Sequence, residues 1–139
     1  MKKTFITCNV DASWKEGYAG LAFWIVYNNP EKITIKENAS CMTDSSVAAE
    51  LAAINRSIDI ILERAIPGDI VVVNSDCQAA IQKIANDQEK IERKLNKKLI
   101  IKKVKGHTRG HDPRHWVNNW CDVQAKSARI SLEQSRKKA

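Results

Sequence analysis

The chain has few of the features that stabilise a protein by means other than a packed core. Its four cysteines, Cys8, Cys41, Cys77 and Cys121, are widely spaced and form no CxxC pair. Neither a disulfide framework nor a zinc site is therefore signalled, and buried reduced thiols are expected. No apolar run approaches the ~20 residues that a membrane-spanning helix needs. The start, MKKTFITCNVDAS, is basic but has neither a long apolar stretch nor a small-residue cleavage pattern, so a soluble, cytoplasmic chain is expected. No internal repeat or low-complexity linker divides the sequence. With 139 residues, of which 43% are hydrophobic, a single domain over 1–139 is expected, ending in a basic tail from about residue 133.

What is present is positive charge. Lysine and arginine number 23 against 16 acids, a net charge of +7. A polyanionic partner follows, with nucleic acid ahead of a membrane surface because no helix combines a basic face with a large apolar one. A monomer is the default.

Periodicity gives the elements in turn. Phe5–Val10 alternates as a strand with Asp11 at its end, and Gly17 and Gly20 supply turn chemistry in Trp14–Gly20. Leu21–Tyr27 is a nearly continuous apolar run, as in a central strand, and Lys32–Lys36 alternates as a third. Asp44–Ile66 is an amphipathic helix with Val47, Leu51, Ile54, Ile58, Ile61, Leu62 and Ala65 on one face, closed by Pro67 and Gly68. Ile70–Val73 is a short buried strand that ends in Asn74, Ser75 and Asp76. Cys77–Leu95 is helical, with a possible interruption at Asn86 and Asp87, followed by a strand at Leu99–Val104 and a closing helix at Trp116–Leu132. Between these last two, Lys105–Arg114 has glycines, a proline and no apolar period, which marks a loop. The order βββαβαβα predicts an α/β fold, a five-stranded mixed sheet with helices on its faces.

Four acids share a position at or near the end of an element, beside small or apolar residues. Glu50 lies on or beside the apolar stripe of its helix, where an unpaired charge costs several kcal/mol or more, so the fold must offer it a cation, a donor or water. Asp11, Asp76 and Asp122 also sit near the ends of elements, Asp122 flanking the stripe Val117, Cys121, Ala125 and Ala128. Each alone has an ordinary explanation: a turn residue, a helix cap, a solvated acid. Converging carboxylates would repel, and hard divalent cations bound by oxygen relieve that repulsion. Two such ions can activate a water, hold a phosphodiester and stabilise the leaving oxygen. A basic protein with such a centre is expected to be a nuclease.

The same residues resemble a family. VDAS with Asp11, AAEL with Glu50, NSDCQ with Asp76, and VKGHTRGH followed by WCDVQAK with Asp122 are similar to the four acidic motifs of type 1 ribonuclease H, in the same order from Phe5 to about Ala128. The resemblance implies the ribonuclease H-like fold and a Mg²⁺-dependent endonuclease that cuts the RNA strand of RNA–DNA hybrids, leaving 5′-phosphate and 3′-hydroxyl ends. Asp11, Glu50, Asp76 and Asp122 would then be catalytic ligands of two Mg²⁺ ions, with Mn²⁺ as an alternative, and His107 would match the family's mobile catalytic histidine. An imidazole on a loop titrates near neutrality and suits proton transfer or product release. His111 and His115 read as polar loop residues.

For substrate binding, Gln78 and Ser13 match positions that touch the hybrid, and Ser46 stands where asparagine is expected. Ser45 either caps the helix or meets a phosphate there. The basic helical insertion frequent in the family has too little length here, although Lys90, Arg93, Lys94, Lys97 and Lys98 crowd the same stretch. They form either a solvated face or a phosphate contact. Arg109, Arg114 and Trp116 are candidates for further contacts, with Trp116 and Trp120 alternatively in the core. Two other readings remain: a related metal-dependent nuclease acting on another duplex or junction, and a non-catalytic nucleic-acid-binding module.

Overall fold

The computed structural model describes residues 3–28, 32–104 and 113–137. The elements are β1 (Phe5–Lys15), β2 (Tyr18–Asn28), β3 (Lys32–Met42), α1 (Ser46–Glu63), β4 (Ile70–Ser75), α2 (Gln78–Asn86), α3 (Gln88–Leu95), β5 (Lys98–Lys103) and α4 (Pro113–Lys137). They form one five-stranded sheet in the order β3-β2-β1-β4-β5. The first three strands are an antiparallel meander, and β4 and β5 join in parallel.

Alternation along β1 divides the molecule into two layers. Ile6, Cys8 and Val10 are buried in the main core, with Ala53, Ile54, Ile58 and Ile61 of α1, Ala80 and Ile84 of α2, and Ile91 and Leu95 of α3. The intervening residues face the other side, where α4 builds a smaller cluster from Cys121 and Ala125 against Ala22 of β2. There Trp120 meets Trp24 edge to face at 5.5 Å, and Lys36 Nζ lies 3.9 Å from the Trp24 ring centre. Trp116 is 67% exposed, so only Trp120 of this pair packs inward.

The meander strands are longer than the sequence pattern suggests. β1 does not stop at Val10: Ala12 to Lys15 keep their β2 partners, so Asp11 lies within a strand and not at its end. The hairpin turn is Glu16 and Gly17, both at positive φ, the geometry that matches strand twist. Gly20 has a different role from the one its neighbours suggest. It lies inside β2, and a Cβ there would meet the Ala125 carbonyl oxygen of α4 at 1.8 Å.

Two helices, not one, join β4 to β5, divided at Asp87, so the stretch does hold a second helix. α4 extends through Lys137, with Glu133 bridging Arg129 and Lys137, so residues 133–137 are helix and not a loose tail. Among the described residues no helix is long and apolar enough to cross a membrane.

Candidate metal centre

The parallel pairing of β1 with β4 runs from Phe5 and Ile70 to Asn9 and Asn74. Beyond that point β1 continues along β2, while β4 ends and the chain turns into α2. Asp11 and Asp76 each follow at the opened edge. α1 begins at the same edge, with Ser45 capping it by accepting from the Ala48 N–H at 3.0 Å, and this start brings Glu50, one turn in, over β1.

Asp11, Glu50 and Asp76 each offer a carboxylate oxygen within 4.8 Å of the others. The Ala12 N–H donates to Asp11 Oδ1 at 2.9 Å and to Glu50 Oε1 at 3.1 Å. One donor shared by two acids leaves much of their charge unanswered. Glu50 is only 7% exposed, and its Oε2 has no hydrogen-bond partner among the described residues. Burial, then the charges of Asp11 and Asp76, push Glu50 up to about 9. Burial and Asp76 likewise push Asp11 up to about 6. Such a set of crowded, partly protonated oxygens fits a hard divalent cation, which supplies the missing positive charge and takes oxygen ligands.

Asp122 lies outside this tight group. It is near enough to raise Asp11 electrostatically, but its Oδ2 is held by Lys126 at 3.2 Å. Its helix is seated closely on β2 at Gly20, whose Cα faces the Ala125 and Arg129 backbone. Next to Asp122 the Cys121 thiol, raised to about 12 by burial and the charges of Asp11 and Glu50, donates to the Asn9 carbonyl at 3.7 Å.

The RNase H1 of Halobacterium salinarum superposes with a TM-score of 0.64 at 13% identity, covering 89% of this chain and 96% of that one. The chain has the ribonuclease H fold. LC11-RNase H1, solved in complex with an RNA/DNA hybrid, gives 0.67 at 12% identity over 91% of this chain and 98% of that one. The N-terminal RNase H domain of a Mycobacterium tuberculosis protein gives 0.69 at 12% identity, over 96% and 99%. No protein-family model matches the sequence, and no curated protein matches it. Within the ribonuclease H fold, the similarity therefore lies in the path of the chain, with little shared sequence.

The remaining sequence-predicted residues fall into three groups. Gln78 and Ser46 are exposed first residues of α2 and α1, at the carboxylate edge. Ser13 and Ser45 already have protein partners: Ser13 Oγ accepts from Arg129 Nε at 2.9 Å, and Ser45 caps α1. His107, His111 and Arg109 lie outside the described residues, as do the side chains of Arg114 and His115.

The basic run is placed differently from its proximity in sequence. Lys98 pairs with Ile70, at the sheet edge opposite the acids, whereas Lys103 pairs with Ser75 beside Asp76. The two ends of β5 are about 17 Å apart at ~3.3 Å per residue. Lys97 Nζ donates to the Gly68 carbonyl at 2.6 Å and Lys94 meets Asp59 at 3.4 Å. Parallel pairing thus turns Lys97 and Lys98 away from the site and brings Lys102 and Lys103, which the sequence reading passed over, towards it.

Proposed function

We propose that the chain is a metal-dependent endoribonuclease that hydrolyses the RNA strand of RNA–DNA hybrids, leaving 5′-phosphate and 3′-hydroxyl ends. The observation that carries this reading is the convergence of Asp11, Glu50 and Asp76 within 4.8 Å, with a buried Glu50 oxygen that no described group satisfies. A pure binding module would gain nothing from clustered negative charge facing phosphates. Asp11, Glu50, Asp76 and Asp122 would hold two Mg²⁺ ions, or Mn²⁺ in their place. Bound there, the ions would supply Lewis acidity for phosphodiester hydrolysis.

The chain's own groups then act around that centre. The Ala12 N–H orients Asp11 and Glu50 together. Gln78 and Ser46 face the minor groove, where an amide or hydroxyl can read the 2′-hydroxyl that separates RNA from DNA, and Ser13 borders the same groove beside Arg129. Ser45 and the free N–H groups at the start of α1 meet a phosphate of the DNA strand. His107 assists proton transfer or product release. The domain works as a cytoplasmic monomer on nucleic acid, with no membrane partner.

The test is a strand-labelled cleavage assay on a hybrid, an RNA duplex, a DNA duplex and a DNA junction, with Mg²⁺ and with EDTA. Cutting of the RNA strand of the hybrid, dependent on Mg²⁺ and reduced about a hundredfold or more in Asp76→Asn, is expected. Preference for another duplex or junction would keep the chemistry and change the substrate. Binding in EDTA without turnover in Mg²⁺ would contradict the enzyme and leave a binding module.

A further inference from the structure

Beside the carboxylates, a small cavity lies among Asn9, Asp11, Asn74 and Asp76, lined also by Asn118 and Cys121 of α4. It leaves about 10 Å³ for the centre of a water molecule, room for one. Asn9 and Asn74 are opposite each other in the last parallel pair of β1 and β4. Their amides are joined across the strands, with Asn74 Nδ2 donating to Asn9 Oδ1 at 3.0 Å.

The orientation of both amides follows from one fixed acceptor. Asn9 Nδ2 lies 3.3 Å from the Trp24 carbonyl oxygen, which can only accept, so the nitrogen of Asn9 must face it. Asn9 therefore turns its oxygen to Asn74, and Asn74 must answer with its nitrogen. The Asn74 oxygen is left over. Asn74 is 4% exposed, and this Oδ1 is buried with no hydrogen-bond partner among the described residues. A buried acceptor left unsatisfied costs about 1–3 kcal/mol. Asp11 and Asp76, which line the same cavity, are acceptors too. An occupant that bonds to Asn74 Oδ1 and to either aspartate must therefore donate to both.

We propose that the cavity holds one ordered water that donates to Asn74 Oδ1 and to a carboxylate of Asp11 or Asp76, making Asn74 a positioning residue for the metal-binding acids. The link ties that aspartate to the β1–β4 strand pair, and so fixes how it presents its outer oxygen to a metal ion. It rests on the reading of Asp11 and Asp76 as metal ligands. Residues that orient ligands in this way are commonly worth 10–100-fold in metal affinity.

Threonine and valine at position 74 have the same shape and differ in one hydroxyl, which can donate to Asn9 Oδ1 and accept from the water. Calorimetric titration with Mg²⁺ alone compares wild type, Asn74→Val and Asn74→Thr, with the urea midpoint of each metal-free protein as the folding control. The valine variant should bind Mg²⁺ about tenfold more weakly, and threonine should restore most of the loss. Equal affinity in all three would overturn the positioning role while leaving the nuclease reading intact. Absence of Mg²⁺ binding by wild type would instead sink the nuclease reading and the positioning role with it. High-resolution diffraction from wild type tests the water itself: a density peak within hydrogen-bond distance of Asn74 Oδ1 supports it, and an empty cavity overturns it.

Discussion

Asp11 and Asp76 each stand two residues beyond a partner in the same parallel pair, Asn9 opposite Asn74, so the sheet register itself sets them side by side. Neither strand alone defines the edge. It arises because β1 keeps its antiparallel partner beyond Asn9 while β4 gives way to α2. Glu50 then closes the group from above through the amide N–H of Ala12.

The metal-free protein should lose stability as pH rises. Glu50 titrates near 9 when folded and near its ordinary 4.5 when unfolded, so between these values the native state binds the extra proton and the slope of unfolding free energy with pH is negative. Asp11 acts in the same sense over a narrower span up to about 6. Asp69 and Glu133, lowered chiefly by hydrogen bonds from Thr4 and Lys137, act oppositely but at more acid pH. Urea denaturation in EDTA from pH 5 to 9 should show the fall, and saturating Mg²⁺ should flatten it. Glu50→Gln should stabilise the metal-free protein at pH 8 by roughly 1–3 kcal/mol, while its cleavage of hybrid is lost.

Gly20→Ala should displace α4. The added methyl would lie 1.8 Å from the Ala125 carbonyl oxygen, and helix backbone cannot yield as a flexible side chain can. A loss of about 1–3 kcal/mol or more in urea unfolding is expected. Because Asp122 rides on the same helix, cleavage at saturating Mg²⁺ should fall as well.

Ser45→Ala removes the cap of α1 and should cost about 1 kcal/mol, read as a lower thermal midpoint. If Ser45 also meets a phosphate, KM for the hybrid should rise at a temperature where the variant is fully folded. An unchanged KM would restrict Ser45 to capping.

The two ends of β5 should behave differently towards nucleic acid. Lys102→Ala and Lys103→Ala each remove a charge at the carboxylate edge, and each should reduce the slope of log binding constant against log salt by about 1. Lys98→Ala, at the opposite edge, should leave the slope unchanged. Filter binding to a hybrid in EDTA, at several salt concentrations, distinguishes them.

Much of this was legible from periodicity. The continuous apolar run of β2, the short β-branched β4 ending before Asp76, and most of the α1 stripe with Glu50 set against it lie where their patterns indicate. The helix nevertheless stops at Glu63, three residues short of the Ile66 that the pattern suggests, and Ala65, read as part of the stripe, is exposed at positive φ beyond it. What local pattern cannot carry is register. Ala12 to Lys15 lack clear alternation and are held as strand by their partners in β2, so Asp11 reads as a terminus when it is not one. Gly20 looks like a turn residue because the closeness of α4 is a long-range fact. The direction of β5, which turns Lys98 away and Lys103 inward, follows only from parallel pairing. One signal was present but unread: the triplets Asn9-Val10-Asp11 and Asn74-Ser75-Asp76 repeat an asparagine two residues before an aspartate, on the two strands that pair.

The most direct measurement is anomalous diffraction from a crystal equilibrated with Mn²⁺, which locates any bound ion without reference to activity. A peak coordinated by oxygens of Asp11, Glu50 and Asp76, with Glu50 Oε2 among the ligands or bonded to a ligand water, is the expected result. Full occupancy of Mn²⁺ elsewhere, with these three carboxylates bare, would contradict the metal centre and the chemistry proposed from it.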